Sequence, residues 1–442
     1  MSNFRSMLCG VIVSFTLAPA FGQSCGRMEN LGTFGRSSVA EAVSSDGAVV
    51  AGWSYKLDGY SRAFRWTAKE GMQDLGTLGG KHSGASLMTP DGTVILGHAD
   101  DVSGSSPAFR WTAKDGMQSL GTLGGAWSHP YAVSADGSVV VGFAANTWGD
   151  WHAFRWTAAE GIQDLGTLGG YLSRALAVSA DGSVVVGYAQ NAAEVTHAFR
   201  WTLNQGMQDL GTLGGSEALA FACSADGSVV IGHTYNAEDM PRIFRWTPEG
   251  GMQDLGILGG ALSWDHPGAS PVSADGGVVV GNVIDSDDNW RAFRWTGSGG
   301  TQDIGVLYSK GAPGTFVSSD GRVVVGTRHQ AYAMDYTAFR WTEASGVEYL
   351  GTFGGSESRT YAVSANGDVL VGYSTSTDGE PRAFRWQAYT ADVNADGLVN
   401  SDDSDLFADE FESADSRADF NHDGFVNGDD YDLFAEAFEA GC

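Results

Sequence analysis

Basic residues are scarce in this chain. Lys and Arg number 25 against 53 Asp and Glu, a formal charge of −28. Nucleic acids and anionic membranes are held largely by Lys and Arg, so this balance argues against both as partners. Charge of either sign is sparse, at 18% of residues, while 43% are hydrophobic. That is enough apolar material for a large core, which excludes wholesale disorder. Long apolar runs are missing with one exception. Met7 to Ala18 follows Arg5 and leads into Ala18-Pro-Ala20 and Ala20-Phe-Gly22. The run is short for an ordinary span, and the small residues after it resemble a cleavage point. Residues 1–22 are therefore expected to be a secretory signal peptide, leaving a mature chain without a membrane span. Cysteine is also rare. Export would leave Cys25, Cys223 and Cys442, an odd number, so at least one stays unpaired within the chain. Cys223 stands where other segments have Val and reads as a small buried hydrophobe.

Catalytic signatures are missing as well. There is no Gly-x-Ser-x-Gly elbow in a strand–helix context and no His-Glu-x-x-His helix. The nine His are scattered without ligand spacing. The Leu-Gly-Thr-Leu-Gly-Gly runs lack the Lys-Ser/Thr of a phosphate loop and are explained as turns. A pair of carboxylates contributed by distant segments stays open as a route to glycoside cleavage.

What the chain has in abundance is repetition. Phe-Arg-Trp ends at Trp66, Trp111, Trp156, Trp201, Trp246, Trp295, Trp341 and Trp386, at steps of 45, 45, 45, 45, 49, 46 and 45 residues. A fixed period of this size signals a repeat architecture. Each unit has four short segments with strand chemistry. In the third, Tyr131-Ala-Val-Ser and Val139-Val-Val-Gly flank Asp136-Gly137, Ala153-Phe-Arg-Trp-Thr follows, and Ile162-Gln-Asp-Leu closes the unit. Asp-Gly between β-rich runs predicts a tight hairpin with φ > 0 at both central positions. No segment is long enough for a 3.6-residue period. Four strands per 45 residues is the content of a propeller blade.

Eight such hairpins, at Asp46, Asp91, Asp136, Asp181, Asp226, Asp275, Asp320 and Asn366, match eight Phe-Arg-Trp strands. The last unit lacks a fourth strand, and Glu29-Asn-Leu-Gly-Thr-Phe-Gly supplies a spare copy before the first hairpin. Inserting the spare into the gap closes a ring and removes the open sheet edge. The expected fold class is all-β: an eight-bladed β-propeller of four-stranded blades over 29–386, closed by the N-terminal strand, with a small α-helical calcium-loop module over 391–442. His152-Ala-Phe and His197-Ala-Phe, each followed by Arg-Trp, resemble the extracellular HAF-repeat family, and the strand layout is similar to kelch propellers. The family resemblance implies export and no particular activity. Within each triplet, Phe and Trp share one strand face and read as packing between blades. The intervening Arg, such as Arg155, is expected to pair with the Asp of the next strand, such as Asp164.

The loops between second and third strands and between blades emerge on one face. They carry Trp127, Trp148, Trp151, Trp264 and Trp290. Exposed Trp there would form a platform for glycan rings or a partner protein.

The last 51 residues hold 16 acids and one Arg. Asp392, Asn394, Asp396, Asn400 and Asp403 recur as Asp419, Asn421, Asp423, Asn427 and Asp430, at loop positions 1, 3, 5, 9 and 12 with Gly at 6. With the carbonyls of Leu398 and Phe425, this is an oxygen set for two calcium ions. A helix is expected after each loop, presenting Leu406, Phe407 and Phe411, then Leu433, Phe434 and Phe438. The duplicated loop–helix unit, with Asp at position 12 and Gly441-Cys442 at the end, resembles a GC-type dockerin. That resemblance implies docking to a cohesin-like protein or to cell-envelope attachment machinery. The pairs Ser401-Asp402 and Gly428-Asp429, at positions 10 and 11, differ from each other and from the common hydroxyl pair. Together these features lead to the expectation of an exported, surface-attached, non-enzymatic binding scaffold, with a polysaccharide-degrading component as the alternative.

Overall fold

The structure is a computed structural model. It describes residues 26–255, 271–284, 290–308, 315–329, 336–389, 391, 393, 399–420 and 425–440. Eight antiparallel sheets follow one another along the chain. In the first, Gly35–Val43, Val50–Lys56, Ser61–Thr67 and Gly71–Asp74 pair in chain order. Six further sheets have the same four strands. The sheet of Val278–Ile284, Trp290–Thr296 and Gly300–Tyr308 shows three among the described residues, with Val272 bridging Val279 where its first strand would lie.

The last sheet closes the ring. Its own strands are Gly354–Val363, Val369–Ser376 and Pro381–Ala388, and its fourth is Gly26–Asn30 from the other end of the chain. Met28 lies opposite Trp386 and Asn30 opposite Phe384, and the Leu31 N–H donates to the Ala383 carbonyl at 3.0 Å. First and last repeats therefore share one sheet, as the spare strand requires, with Gly26–Asn30 as its outer strand.

The repeated residues explain the packing. Phe64, Phe109, Phe154, Phe199, Phe244, Phe293, Phe339 and Phe384 are all essentially inaccessible. Each enters a core shared by two sheets; Phe64 and Trp66, for example, pack with Val369, Val371 and Ala383 of the preceding blade. Burying such a side chain contributes about 1.5–3 kcal/mol, repeated around the ring. The Gly of each Val-Val-Gly run is required by the same crowding. A Cβ on Gly52 would overlap the Val39 carbonyl and the edge of Phe64.

The hairpins differ from the expectation in one detail. Gly47 has φ +73°, but Asp46 is not in the left-handed region. The turn spans Ser44 to Gly47, with the Gly47 N–H on the Ser44 carbonyl at 2.9 Å. The Ser44 hydroxyl donates to Asp46 Oδ1 at 2.5 Å and accepts from the Val49 N–H at 2.9 Å. The recurring Ser and Asp thus hold the turn by side-chain bonds, which removes the need for a second positive φ.

These turns form a ring of their own. Ser45 donates its N–H to the Pro90 carbonyl, and Ala135, Ala180, Ala225, Ala274, Ser319 and Ala365 each donate to the next turn, Ala365 returning to Ser45. The one gap lies between Pro90 and Ala135, because proline has no N–H to give.

Two helices follow the propeller, α1 (Ser401–Glu412) and α2 (Gly428–Ala440). Phe407 and Phe434 stack between them at 4.0 Å, in a small core with Ala391, Ala418 and Ala437.

Candidate functional site

Three places in the molecule concentrate chemistry. The first is the face carrying the loops between second and third strands. In the third blade, Asn146 Oδ1 accepts the N–H groups of Trp148 and Asp150 at 2.8 and 3.0 Å. Gly149, at φ +89°, completes the turn. This self-supporting loop leaves the Trp148 ring 87% exposed. Trp127 is 60% exposed in the irregular stretch between Gly124 and Ser128 of the same blade. Trp151 is half-buried, 4.8 Å from the Phe143 ring and with the Arg174 guanidinium 6.0 Å above it. So the described Trp of the expected rim lie on one blade. Trp264 falls outside the described residues. Trp290 pairs with Tyr308 in its strand, and its side chain lies outside the description.

At the outer edge of the blades, the Arg155–Asp164 pair expected from the sequence is not formed. The register places Arg155 opposite Gln163 and Phe154 opposite Asp164. Arg155 instead points to the next blade, its guanidinium 5.9 Å from the Trp201 ring. The partner of Asp164 is His152, Nδ1 to Oδ2 at 2.7 Å, and His197 binds Asp209 the same way at 2.8 Å. Where Arg stands in place of that His, Arg242 meets Asp254 and Arg291 meets Asp303, both at 3.1 Å, whereas in the last blade Asn30 holds the acid's place and Arg382 turns to Asp378 at 2.9 Å. In the second blade the cation is replaced by Pro107 and the acid by Ser119 together. The side chain before Ala-Phe is thus one half of a cross-strand pair, three residues from the Arg expected. Alternation along the strand was the signal: positions 152 and 154 share a face, and 155 is on the other.

The third place is the central channel. A cavity of about 140 Å³ is lined by the first strands of four blades, including Glu41, Ser86, Phe316, Ser319 and Tyr361. Glu41 Oε1 accepts from Trp53 Nε1 at 2.7 Å. Burial pushes its carboxyl above the usual carboxylate range, and the Trp53 bond offsets part of that rise. Sequence reasoning missed this residue. It stands three positions before the turn serine, where other repeats carry Ser86, Tyr131, Leu176, Phe221, Thr315 and Tyr361. Aligning the repeats by that serine would have exposed the lone charge.

In the C-terminal segment the described members of the oxygen set have structural roles. Asn400 accepts from the Asp402 N–H at 2.8 Å, and Asp403 Oδ2 accepts from the Asn400 N–H at 2.9 Å. Asn427 and Asp430 repeat both bonds at 2.9 Å. Each pair is a capping box that starts its helix. Asp403 and Asp430 are fully buried. Phe425 is exposed and Asp419 half-buried. Asp392, Asn394, Asp396, Leu398, Asn421 and Asp423 lie outside the described residues. No group of three or more metal-binding side chains occurs among the described residues. No described helix is long and apolar enough to cross a membrane. Cys223 is a free thiol, pushed up to about 12 by burial, consistent with an inert packing residue.

Comparison with known proteins gives the fold and stops there. No protein-family model matches the chain, and no curated protein matches it. Among solved structures, the dipeptidyl peptidase 4 of Porphyromonas gingivalis aligns at TM-score 0.51 and 11% identity, over 80% of this chain and 58% of that one. A prolyl endopeptidase structure aligns at 0.51 and 11%, over 80% and 55%. TolB of Acinetobacter baumannii aligns at 0.38 and 14%, over 63% and 65%. The chain thus matches less than two-thirds of each of these relatives. With the closed ring of eight sheets, the two peptidase likenesses show the fold, an eight-bladed β-propeller. Peptidase activity belongs to the dipeptidyl peptidase and the prolyl endopeptidase.

Proposed function

We propose that this chain is an exported HAF-repeat binding propeller, attached to the cell surface or to an extracellular assembly through a calcium-dependent, dockerin-like tail. The observation that carries the tail reading is the duplicated start of α1 and α2. Loop positions 9 and 12 form the same capping box twice, and both position-12 carboxylates are buried. Asp392, Asn394, Asp396, Leu398, Asn400 and Asp403 would hold one calcium ion, and Asp419, Asn421, Asp423, Phe425, Asn427 and Asp430 a second. The ion would supply the charge that lets six oxygens converge in each loop. The propeller's part in the reading is the display of Trp127 and Trp148 on one blade, suited to stacking on sugar rings or to a protein anchor.

The rival reading, hydrolysis of a polysaccharide, requires two carboxylates separated by roughly 5–10 Å. The lining of the channel cavity includes one acid, Glu41. That cavity therefore does not supply the pair.

Calcium titration of the whole chain, followed by pull-down from the parent cell envelope, tests the tail. Saturation at two ions, lost stepwise in Asp403→Ala and Asp430→Ala, and calcium-dependent capture support the reading. Absence of calcium binding at millimolar concentration overturns it. Glycan-array binding that survives Trp127→Ala with Trp148→Ala removes the Trp platform.

A further inference from the structure

We propose that the channel cavity is a binding site for a small organic ammonium ion, held by the Glu41 carboxylate and the Ser86 hydroxyl. The site is separate from the Trp-bearing blade and from the C-terminal loops.

Glu41 is half-buried in the channel wall, and one of its oxygens is used by the Trp53 indole. No Lys, Arg or His forms an ion pair with it among the described residues. Ser86 is 6% exposed, and its hydroxyl has no hydrogen-bond partner. Both residues line the same cavity, from neighbouring blades, and a buried hydroxyl without a partner carries a desolvation cost that a ligand would relieve. The two preceding blades add Phe316 and Tyr361, aromatic surfaces that attract a cation through the ring quadrupole. Ser319 belongs both to this lining and to the ring of bonded turns, so the cavity sits against that ring.

The lining selects among ligands. An anion would meet Glu41 with no basic residue to compensate. Calcium needs six to eight oxygens, and the lining side chains include one carboxylate and a few hydroxyls. A volume of about 140 Å³ suits a ligand of a few heavy atoms. An alkylammonium head satisfies each term: N–H donors for Glu41 and Ser86, positive charge for the carboxylate, and methylene surface for Phe316.

The test is calorimetric titration of the full chain with methylammonium, ethylammonium and ethanolammonium chlorides. Sodium chloride and ethylene glycol serve as comparison ligands. Saturable one-site binding of the ammonium ions is expected, weakened at least tenfold in Glu41→Gln and abolished in Ser86→Val, which puts a methyl in the hydroxyl's place. Glu41→Asp, which keeps the charge, is expected to retain measurable binding, and unchanged melting of each variant excludes misfolding as the cause. Equal binding of ethylene glycol, full affinity in Glu41→Gln, or no saturable binding by any of the amines overturns the proposal.

Discussion

The Ala365 N–H donates to the carbonyl of Ser45 at 3.1 Å, bonding the turn of the last blade to the turn of the first. Arg385 makes a second link across the same junction, its Nε donating to the Gly47 carbonyl at 3.1 Å. With the Gly26–Asn30 strand on the outer edge, the closure is bonded near the channel and at the rim.

The terminal strand is the weakest part of that closure, because no turn ties it to the blade it completes. Leu31 is buried at 5% exposure in the core joining the first and last blades, and Leu75 holds the corresponding place after the first blade at 8%. Replacing either by Ala is expected to cost about 2–4 kcal/mol. Only Leu31→Ala should also free the amides of Arg27 and Glu29, which face Gln387 and Arg385, to exchange with solvent. Equal exchange in the two variants would show that the strand is held some other way.

Pro90 interrupts the ring of turns. Pro90→Ala supplies the missing N–H, worth about 1 kcal/mol if it reaches Ala135, and returns about 0.4–1 kcal/mol of freedom to the unfolded chain. The two effects nearly cancel, so the melting temperature should barely move. Hydrogen exchange distinguishes the outcomes: the new amide at position 90 should be protected.

Asp164 does two jobs. Its Oδ1 accepts the Gly166 N–H at 2.8 Å, and its Oδ2 meets His152. Asn30 does the first job alone in the closing strand, accepting from Gly32 at 2.9 Å. Asp164→Asn should therefore cost under about 1 kcal/mol, the range of an exposed pair, while Asp164→Ala loses the turn bond as well and costs about 1 kcal/mol more. Chemical denaturation of the two variants side by side measures the difference.

His129 is set up to resist protonation. Burial, with His98 and Arg174 nearby, brings its pKa down from 6.5 to about 4. The folded state therefore prefers the neutral ring while the unfolded chain takes up a proton first. Stability from this group is complete above pH 6.5 and is lost as pH falls toward 4, to an extent on the order of 2–3 kcal/mol. His129→Phe keeps an aromatic against Tyr131 and Phe143 and should flatten that part of the acid decline. An unaltered stability profile between pH 4 and 7 would rule the mechanism out.

Local chemistry written eight times was enough to determine the blade, the number of blades and the strand that seals them. Phe-Arg-Trp alternates on a strand, Asp-Gly turns it, and the spare copy at Glu29–Leu31 had one gap to fill. The capping boxes at Asn400–Asp403 and Asn427–Asp430 were equally local, since a cap is complete within four residues. Contacts across blades were another matter. Which charge meets Asp164, and that Trp151 packs on Phe143 while Trp127 and Trp148 stay exposed, depend on register and packing. A slip of one position exchanges the two faces of a strand. The channel was least legible of all. Glu41, Ser86, Phe316 and Tyr361 come from four repeats spread over the chain, and only closure of the ring brings their strands to one axis. The propeller's interior surface is therefore a property of the assembled circle, while each blade is a property of its own 45 residues.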